Sequence, residues 1–189
     1  MAELDQNSAE CHVFTFKEGL LSSVAHDLKL RVGRWSVRVA AREGGGFALD
    51  ASFDASSLSV EAVMRDGRPQ SGVLGPRDTD KIAKSIREEV LSSARYPTIT
   101  WRGTATQGGP DSARLDGELT LCGRTKVVSS NARRDGGDAG AWVVEIPVHQ
   151  PDFGIKPYSA MLGALKIKAD IRVVLRIPHA RLAELVASP

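Results

Sequence analysis

Apolar and charged side chains alternate almost perfectly between residues 165 and 177. The odd positions hold Leu, Ile, Ala, Ile, Val, Leu and Ile, whereas five of the six even positions are charged. Successive side chains of a β-strand point to opposite faces of its sheet, so a period of two fits a strand and not a helix. The pattern predicts one long strand from Leu165 to Ile177, with one dry face and one charged face.

The same period of two recurs over most of the chain, in residues 14–16, 28–32, 35–39, 47–53, 99–105, 115–121 and 142–148. The parity changes at Gly33 and Arg34, which predicts a β-bulge and a bend there. Turns rich in Gly, Pro and Asp lie at 43–46, 107–111 and 134–138. We predict an all-β fold of about eight antiparallel strands, which form a barrel or a sandwich. A barrel is favoured because strands of this length would otherwise leave open edges.

One segment has helical spacing. Ile82, Ile86 and Val90 recur every four residues between 80 and 95, with charged residues between them. This predicts an amphipathic helix against the sheet or across a barrel mouth, with Asp78, Thr79 or Asp80 as its N-cap. Residues 65–76 are rich in Gly, Pro and polar side chains and predict a mobile loop. Residues 181–186 predict one or two helical turns.

Composition fits one globular domain. The chain has 189 residues, 42% of them hydrophobic and 25% charged, which predicts a single domain over 1–189. Its core extends from about 12 to 177, between a short N-terminal arm and a C-terminal tail. The net charge of +2 predicts no general affinity for nucleic acid. Cys11 and Cys122 are expected to be isolated thiols. The first eleven residues lack an apolar run, so we expect no signal peptide and a cytoplasmic location.

The sequence holds no evident catalytic or metal-binding group. The four histidines, at positions 12, 26, 149 and 179, have no zinc-ligand spacing with each other or with cysteine. His26 and Asp27 are sequence neighbours, and on a strand such neighbours point to opposite faces, so they are poorly placed to act together. We therefore predict a protein that is not an enzyme and has no cofactor, catalytic residue or metal site.

The predicted inner face is apolar throughout, which leaves two interpretations. Several of its residues are small where a filled interior would need bulk: Ala51, Gly103, Ala105, Gly117 and Ala169. The segments Phe153–Ile155 and Met161–Leu165 add apolar residues outside the regular strands. From these features, an internal ligand and a filled core are equally supported.

Seven short motifs, in order along the chain, resemble those of one protein family. They are His-Val-Phe-Thr-Phe at 12–16, Val-Ala-His-Asp-Leu at 24–28, Val-Gly-Arg-Trp at 32–35, Arg-Asp at 77–78, Arg-Tyr-Pro-Thr-Ile-Thr-Trp at 95–101, Gly-Glu-Leu-Thr-Leu-Cys-Gly-Arg-Thr-Lys at 117–126 and Asp-Phe-Gly-Ile at 152–155. The family is the YceI-like proteins, which are described as polyisoprenoid-binding or lipid-binding lipocalin-like proteins. Two departures are Val-Leu-Ser-Ser at 90–93, where the family's helix has a Phe-Phe-Asp type sequence, and Val127 in place of the usual proline.

The resemblance implies an eight-stranded antiparallel, lipocalin-like barrel with helices at its rim, often dimeric, around an isoprenoid-like chain. We therefore predict binding, storage or transport of an amphiphilic isoprenoid-type lipid in the apolar barrel interior, with transient membrane contact and a homodimer as partners. From the net charge we predict no nucleic-acid partner. Our predicted ligand-binding residues are Phe14, Phe16, His26, Leu28, Leu30, Trp35, Phe53, Trp101, Leu119, Phe153, Tyr158 and Leu162. Polar rim candidates are Arg77, Lys156 and residues 66–75, besides His26 and Tyr158.

Two other functions stay open from the sequence. The first is an enzyme that acts on an amphiphilic lipid with His26 as its base. The second is a filled barrel whose rim or edges bind another protein.

Overall fold

Strands make up most of the computed structural model, which describes residues 2–18, 26–135, 140–160, 162 and 165–187. The strands are β1 (Ala2–Asp5), β2 (Glu10–Thr15), β3 (Lys17–Glu18), β4 (Asp27–Val32), β5 (Trp35–Ala41), β6 (Phe47–Asp54), β7 (Leu58–Arg65), β8 (Arg68–Gln70), β9 (Thr98–Gly109), β10 (Ser112–Leu121), β11 (Arg124–Asp135), β12 (Ala141–His149), β13 (Ser159–Ala160), β14 (Leu165–Ile167) and β15 (Asp170–Pro178). The helices are α1 (Pro76–Ser85), which runs on into a π-helical turn (Ile86–Val90), and α2 (His179–Ala187). Short 3-10 turns occupy Ala55–Ser57 and Gln150–Phe153.

All pairings between these strands are antiparallel. The main sheet has the order β1-β5-β6-β9-β10-β11-β12-β15-β2-β4-β7-β8, and a small second sheet has the order β13-β14-β3. Hairpins join β5 to β6 and β9 to β10 at turns that the sequence predicts. A third hairpin joins β10 to β11 at Cys122 and Gly123, which are not among the predicted turns. The last strand, β15, pairs with β2 near the start of the chain, so the two ends of the chain meet in the sheet.

One corner of the sheet explains how it curls into a barrel. β4 continues into β5 past Gly33 and Arg34, and β6 continues into β7 past a 3-10 turn, so each pair is one long bent strand. Hydrogen bonds join the two bends, from the Gly33 amide to the Ser57 carbonyl at 3.0 Å and from the Asp54 amide to the Arg34 carbonyl at 3.0 Å. β4 then pairs with β7 while β5 pairs with β6. Counted through their bends, eight strands line the ring, and the predicted lipocalin-like antiparallel barrel is confirmed.

The two ends of the barrel are built differently. At one end, which we call the closed end, α2 packs against β1, β12 and β15, and its Leu185 is buried with Leu4 and Ile177. At the other, which we call the open end, lie α1, its π-helical turn and the small sheet. Within the described residues, no helix is both long enough and apolar enough to span a lipid bilayer.

The single strand predicted over Leu165–Ile177 is wrong, because the segment belongs to two sheets. The amide of Ile167 bonds to the Tyr158 carbonyl at 3.0 Å, and that of Lys168 to the Phe16 carbonyl at 2.8 Å, which places β14 in the small sheet. The chain then passes Lys168 and Ala169 before β15 enters the barrel. Alternation continues through the break, so the pattern alone could not reveal it.

Two other local predictions need correction. The N-cap of α1 is Gly75, with Pro76 in the first turn, and Asp78 lies inside the helix. Pro is well suited there because its missing N–H has no partner to lose. The predicted loop over 65–76 contains β8, which forms a hairpin with β7. The predicted turn at 134–138 lies partly outside the described residues, whereas the predicted C-terminal helix is confirmed as α2.

Candidate ligand cavity

The barrel interior at the open end is hollow. It encloses a cavity of about 580 Å³, within the range of about 300–1,000 Å³ that is usual for small-molecule sites. The wall is almost entirely apolar and comes from most of the barrel strands and from α1: Val13, Leu28, Leu30, Val37, Leu49, Ala51, Phe53, Ile82, Ile86, Ile99, Trp101, Leu119, Ile146, Ile171, Val173 and Leu175 are among its residues. Leu4, Ile177 and Leu185 at the closed end are buried in the core and do not line it.

Partial exposure of inward-facing side chains shows that the cavity is empty space rather than loose packing. Leu49, Ile146 and Ile171 are only half-buried although they point into the barrel. Similar apolar side chains at the closed end, such as Ile177, are buried. Binding of an apolar ligand to such a wall is favourable, because the apolar surface of the wall is then removed from contact with water.

The small residues of the inner face do not all serve the cavity as predicted. Gly103 and Gly117 face each other across β9 and β10. A Cβ at Gly117 would lie 2.5 Å from both Trp101 Cζ2 and the Arg102 carbonyl oxygen, and one at Gly103 would lie 2.7 Å from Trp101 Cη2. The two glycines therefore let the indole of Trp101 lie flat on the sheet. Ala105 and Ala169 do not line the cavity, and of the five small residues only Ala51 does.

The mouth of the cavity carries its ionisable side chains apart from Cys11, among the described residues. His26, Asp78, Lys81 and Tyr158 line it there. Asp78 and Lys81 are exposed on α1 and yet border the cavity, so the cavity reaches the protein surface beside that helix. A ligand with its apolar part inside could place a polar group among these four side chains.

The polar groups Gln150 and Cys11, deeper in the cavity, carry no charge. Gln150 is buried, and its side-chain amide donates to the Lys168 carbonyl at 3.0 Å. Cys11 lies in the wall, and burial raises the pKa of its thiol to about 12, so it stays protonated at neutral pH. Cys11 and Cys122 are both free thiols, as predicted. The inner wall thus offers an apolar ligand no buried charge.

The structure separates His26 from Asp27. His26 lines the cavity, whereas Asp27 Oδ1 accepts a hydrogen bond from the Lys17 amide at 2.7 Å. Asp27 therefore holds β3 of the small sheet beside β4. This arrangement gives His26 no carboxylate from its sequence neighbour, which is the group that a His-Asp general base would need.

Seven of the twelve predicted ligand-binding residues line the cavity: His26, Leu28, Leu30, Phe53, Trp101, Leu119 and Tyr158. The other five do not. Phe14 and Phe16 lie on the outer face, because Val13 and Thr15 take the inward positions of β2, and the guanidinium of Arg172 stacks over both rings.

The remaining three predicted residues miss the cavity for separate reasons. Trp35 is buried and stacks on Phe53 with ring centroids 6.3 Å apart, so Phe53 stands between it and the cavity. Phe153 is buried in a 3-10 turn. Leu162 is fully exposed at the open end. Arg77 and Lys156, predicted for the rim, are exposed and do not border the cavity.

Sequence reasoning missed the contribution of α1. Asp78, Lys81, Ile82 and Ile86 border the cavity, and Ile82 and Ile86 were already visible as the apolar stripe of the predicted helix. The sequence predicted this helix against the sheet or across a barrel mouth, but the predicted ligand-binding residues include none from it. The inward residues of β15 (Ile171, Val173 and Leu175) were also visible as its dry face.

His12 belongs to a network of ionisable side chains on the outer face of the barrel. His12 Nε2 lies 3.0 Å from Glu61 Oε2, and Lys29 Nζ lies 2.5 Å from Glu61 Oε1. Partial burial opposes ionisation of Glu61, but hydrogen bonds from Lys29 and His12 outweigh it and lower the pKa of that carboxyl. The network joins β2, β4 and β7 and lies away from the cavity.

The fold and the cavity together define a class: a lipocalin-like antiparallel barrel with an internal apolar cavity. The chain belongs to the YceI-like domain family, whose sequence profile matches residues 4–178. No protein of curated function shows significant sequence similarity to it.

Solved structures show the same fold at low sequence identity. BcnA of Burkholderia cenocepacia superposes with a TM-score of 0.62 at 9% identity, over 89% of this chain and 94% of that one. A polyisoprenoid binding domain from Saccharophagus degradans gives 0.55 at 12% identity, over 94% and 99%. A YceI protein of Campylobacter jejuni gives 0.55 at 14% identity, over 81% and 84%.

Proposed function

We propose that this protein binds an amphiphilic, isoprenoid-type lipid, with the tail in the cavity and the polar group at the mouth, and that it stores or carries that lipid. The observation that carries the proposal is the hollow apolar interior with its polar groups gathered at one opening. The family and the polyisoprenoid-binding neighbour support it.

The physical chemistry favours a ligand of this type. Each buried methylene-sized group gains about 0.8 kcal/mol, so a tail of about ten such groups would gain about 8 kcal/mol before the costs of association. The wall offers no buried charge that would be left unpaired by such a tail. Polar groups at the mouth, His26, Lys81 and Tyr158, could hydrogen-bond a hydroxyl, carbonyl or phosphate.

Binding without turnover is the second part of the proposal. Of the described residues that line the cavity, His26 is the only histidine, and Asp27 is engaged elsewhere. A ligand held here is therefore expected to leave chemically unchanged.

A matched pair of substitutions tests the site. Ala51 and Ala48 lie on the same strand, β6, but Ala51 lines the cavity and Ala48 faces outward. Ala51→Trp should fill the cavity and Ala48→Trp should leave it open. Purified protein, prepared without detergent, would be incubated with farnesol, geranylgeraniol and a longer polyprenol, and examined by native mass spectrometry.

We expect one lipid per chain for the unmodified protein and for Ala48→Trp, with adduct lost or at least tenfold weaker in Ala51→Trp. Recovered lipid should have its original mass. A protein that stays lipid-free with isoprenoids and with fatty acids, or equal loading of both variants, would contradict the proposal. Thermal melting of each variant shows whether loss of loading reflects loss of fold.

A further inference from the structure

Exposed bulky apolar side chains concentrate near the mouth. Among the described residues, three large apolar side chains are exposed: Val73, Val127 and Leu162. Val73 precedes Leu74, which lines the cavity, and Leu162 lies between Ala160 and Leu165, which line it and pair with each other. Leu162 has a positive φ of 55° and its side chain is turned fully outward. Two of these three exposed residues therefore lie in segments that line the cavity.

Positive charge concentrates at the same end. Residues 65–85 carry five basic and three acidic residues, and residues 156–168 carry three basic residues and no acidic one. These two segments thus hold eight of the 25 basic residues but only three of the 23 acidic ones. The rest of the chain has more acidic than basic residues. The π-helical turn and β3, which lie at the same end, add two basic and three acidic residues, so the open end has ten basic and six acidic residues in all. The small net charge of the chain therefore hides an excess of positive charge at the open end.

Three lysines lie on two sides of the opening and remain exposed. Lys81 borders the cavity on α1, and Lys166 and Lys168 flank the cavity-lining Ile167 on the other side of the mouth. All three are exposed. Asp78, one turn before Lys81, is the acidic residue that borders the same opening.

We propose that the open end is a membrane-docking surface, which places Val73 and Leu162 in the interfacial layer of an anionic bilayer with the basic residues around them. Exposed apolar side chains inside a ring of Lys and Arg are the chemistry of a surface that binds acidic lipid. Docking in this orientation joins the mouth of the cavity directly to the bilayer, so a lipid tail could pass between them without crossing water. The proposal extends the proposed function, from which it takes the purpose of docking.

Co-sedimentation of the full chain with vesicles tests docking separately from lipid loading. The vesicles would be pure phosphatidylcholine, or phosphatidylcholine with about 30% phosphatidylglycerol as the anionic lipid. We expect binding to the anionic vesicles, weak binding to the neutral ones, and loss of binding as salt is added, because salt screens exposed charge.

Matched variants locate the surface. Lys166→Gln with Lys168→Gln should weaken vesicle binding about 25-fold, at about fivefold for each basic residue. Val73→Asn with Leu162→Asn should weaken it about tenfold or more, from the loss of buried apolar area. The controls carry the same changes elsewhere: Arg42→Gln with Arg133→Gln, and Val127→Asn on the outer face of β11, all at exposed positions that do not line the cavity. We expect the controls to bind as the unmodified protein does.

The outcomes are distinguishable from those of the loading experiment. None of these substitutions touches a cavity-lining residue, so all variants should load geranylgeraniol from solution whether or not they dock. No binding to anionic vesicles, equal binding to both kinds of vesicle, or equal weakening by the controls would overturn the docking proposal. Loading that persists in those cases would leave the proposed function intact. Docking without loading would instead contradict the proposed function alone.

Discussion

The two ends of this barrel share one sequence pattern but differ in what it encloses. At the closed end, Leu4, Ile177 and Leu185 fill the interior, because β1 and α2 bring side chains across it. At the open end, α1 lies over the opening and leaves about 580 Å³ unfilled. Period-two alternation specifies an apolar inner face in both halves. Whether that face becomes a core or a cavity depends on the elements that cover each end.

The largest expected effect comes from one substitution made in each half. Ile177 and Ile171 lie on the same strand, β15, the first buried at the closed end and the second half-buried in the cavity wall. Ile177→Ala should destabilise the fold by about 3–4 kcal/mol, because it opens a new void in a packed core. Ile171→Ala should cost about 1–2 kcal/mol, because its side chain already borders empty space. Urea unfolding of both variants measures the difference, and equal costs would mean that the open end is packed in solution.

A second experiment tests the support of Trp101. Gly117→Ala puts a methyl group 2.5 Å from the Arg102 carbonyl and from the indole, so either the strand pair or Trp101 must move. We expect a loss of about 2–3 kcal/mol and a shift in the tryptophan emission.

Gly108→Ala on β9 is the control for that experiment. Its nearest neighbour would be the Ser112 Oγ at 3.3 Å, a side-chain atom that can rotate away. It should cost less than about 0.5 kcal/mol. Equal costs for the two alanines would show that the indole does not lie on the glycines.

A smaller effect on stability is expected at the corner where β4 bends into β5 and β6 bends into β7. Asp54 accepts hydrogen bonds from the amide of Ser56 at 2.7 Å and from the guanidinium of Arg34 at 2.8 Å. Asp54→Ala should cost about 1 kcal/mol, as the loss of a helix N-cap does. Asp50→Ala, on the same strand, removes only exposed ion pairs with Arg38 and Arg102 and should cost less than about 0.5 kcal/mol.

The pH dependence of the Asp54 effect has a definite sign. The hydrogen bond from Ser56, followed by that from Arg34, lowers the pKa of Asp54 although burial opposes this. A lowered carboxyl pKa contributes stability that is present above the unfolded value of about 4 and is lost as the pH falls through the folded value. The gap between Asp54→Ala and the unmodified protein should therefore shrink below about pH 4. Thermal melts at several pH values measure that gap, and a constant gap would contradict the assignment.

The smallest effect concerns thiol reactivity and leaves stability unchanged. Burial raises the pKa of Cys11 to about 12 and also raises that of the half-buried Cys122. Cys11 is buried and its thiol stays protonated at pH 8, so a polar disulfide reagent should label Cys122 first and Cys11 only on unfolding. Mass spectrometry of the labelled protein gives the order. Rapid labelling of Cys11 in the folded protein would mean that water reaches deep into the cavity.

The barrel was largely predictable from the sequence because inward-facing residues are apolar and outward-facing residues are polar along nearly every strand. The parity change at Gly33 marked the corner, and the spacing of Ile82 and Ile86 marked α1. The break after Ile167 was not predictable, because alternation persists while the hydrogen-bond partners change from Tyr158 to those in the barrel.

The cavity was predictable only in part. Which side chains face inward follows from parity, but Phe14 shows how easily parity is misassigned on a short strand, since its aromatic character suggested the interior. Gly117 looked like free space and is instead covered by Trp101, a contact across two strands that depends on register. The hollow itself depends on how far α1 and α2 reach across the ends, which no local pattern records.

The pairing of β2 with β15 also has a consequence for biosynthesis. Phe14 meets Arg172 in that ladder, so β2 leaves the ribosome long before its neighbour does. At about 5–20 residues per second, the wait is on the order of ten to thirty seconds. Contacts so distant along the chain also fold slowly. β15 supplies Ile171, Val173 and Leu175 to the wall, so the cavity of a nascent chain stays incomplete until β15 has been synthesised.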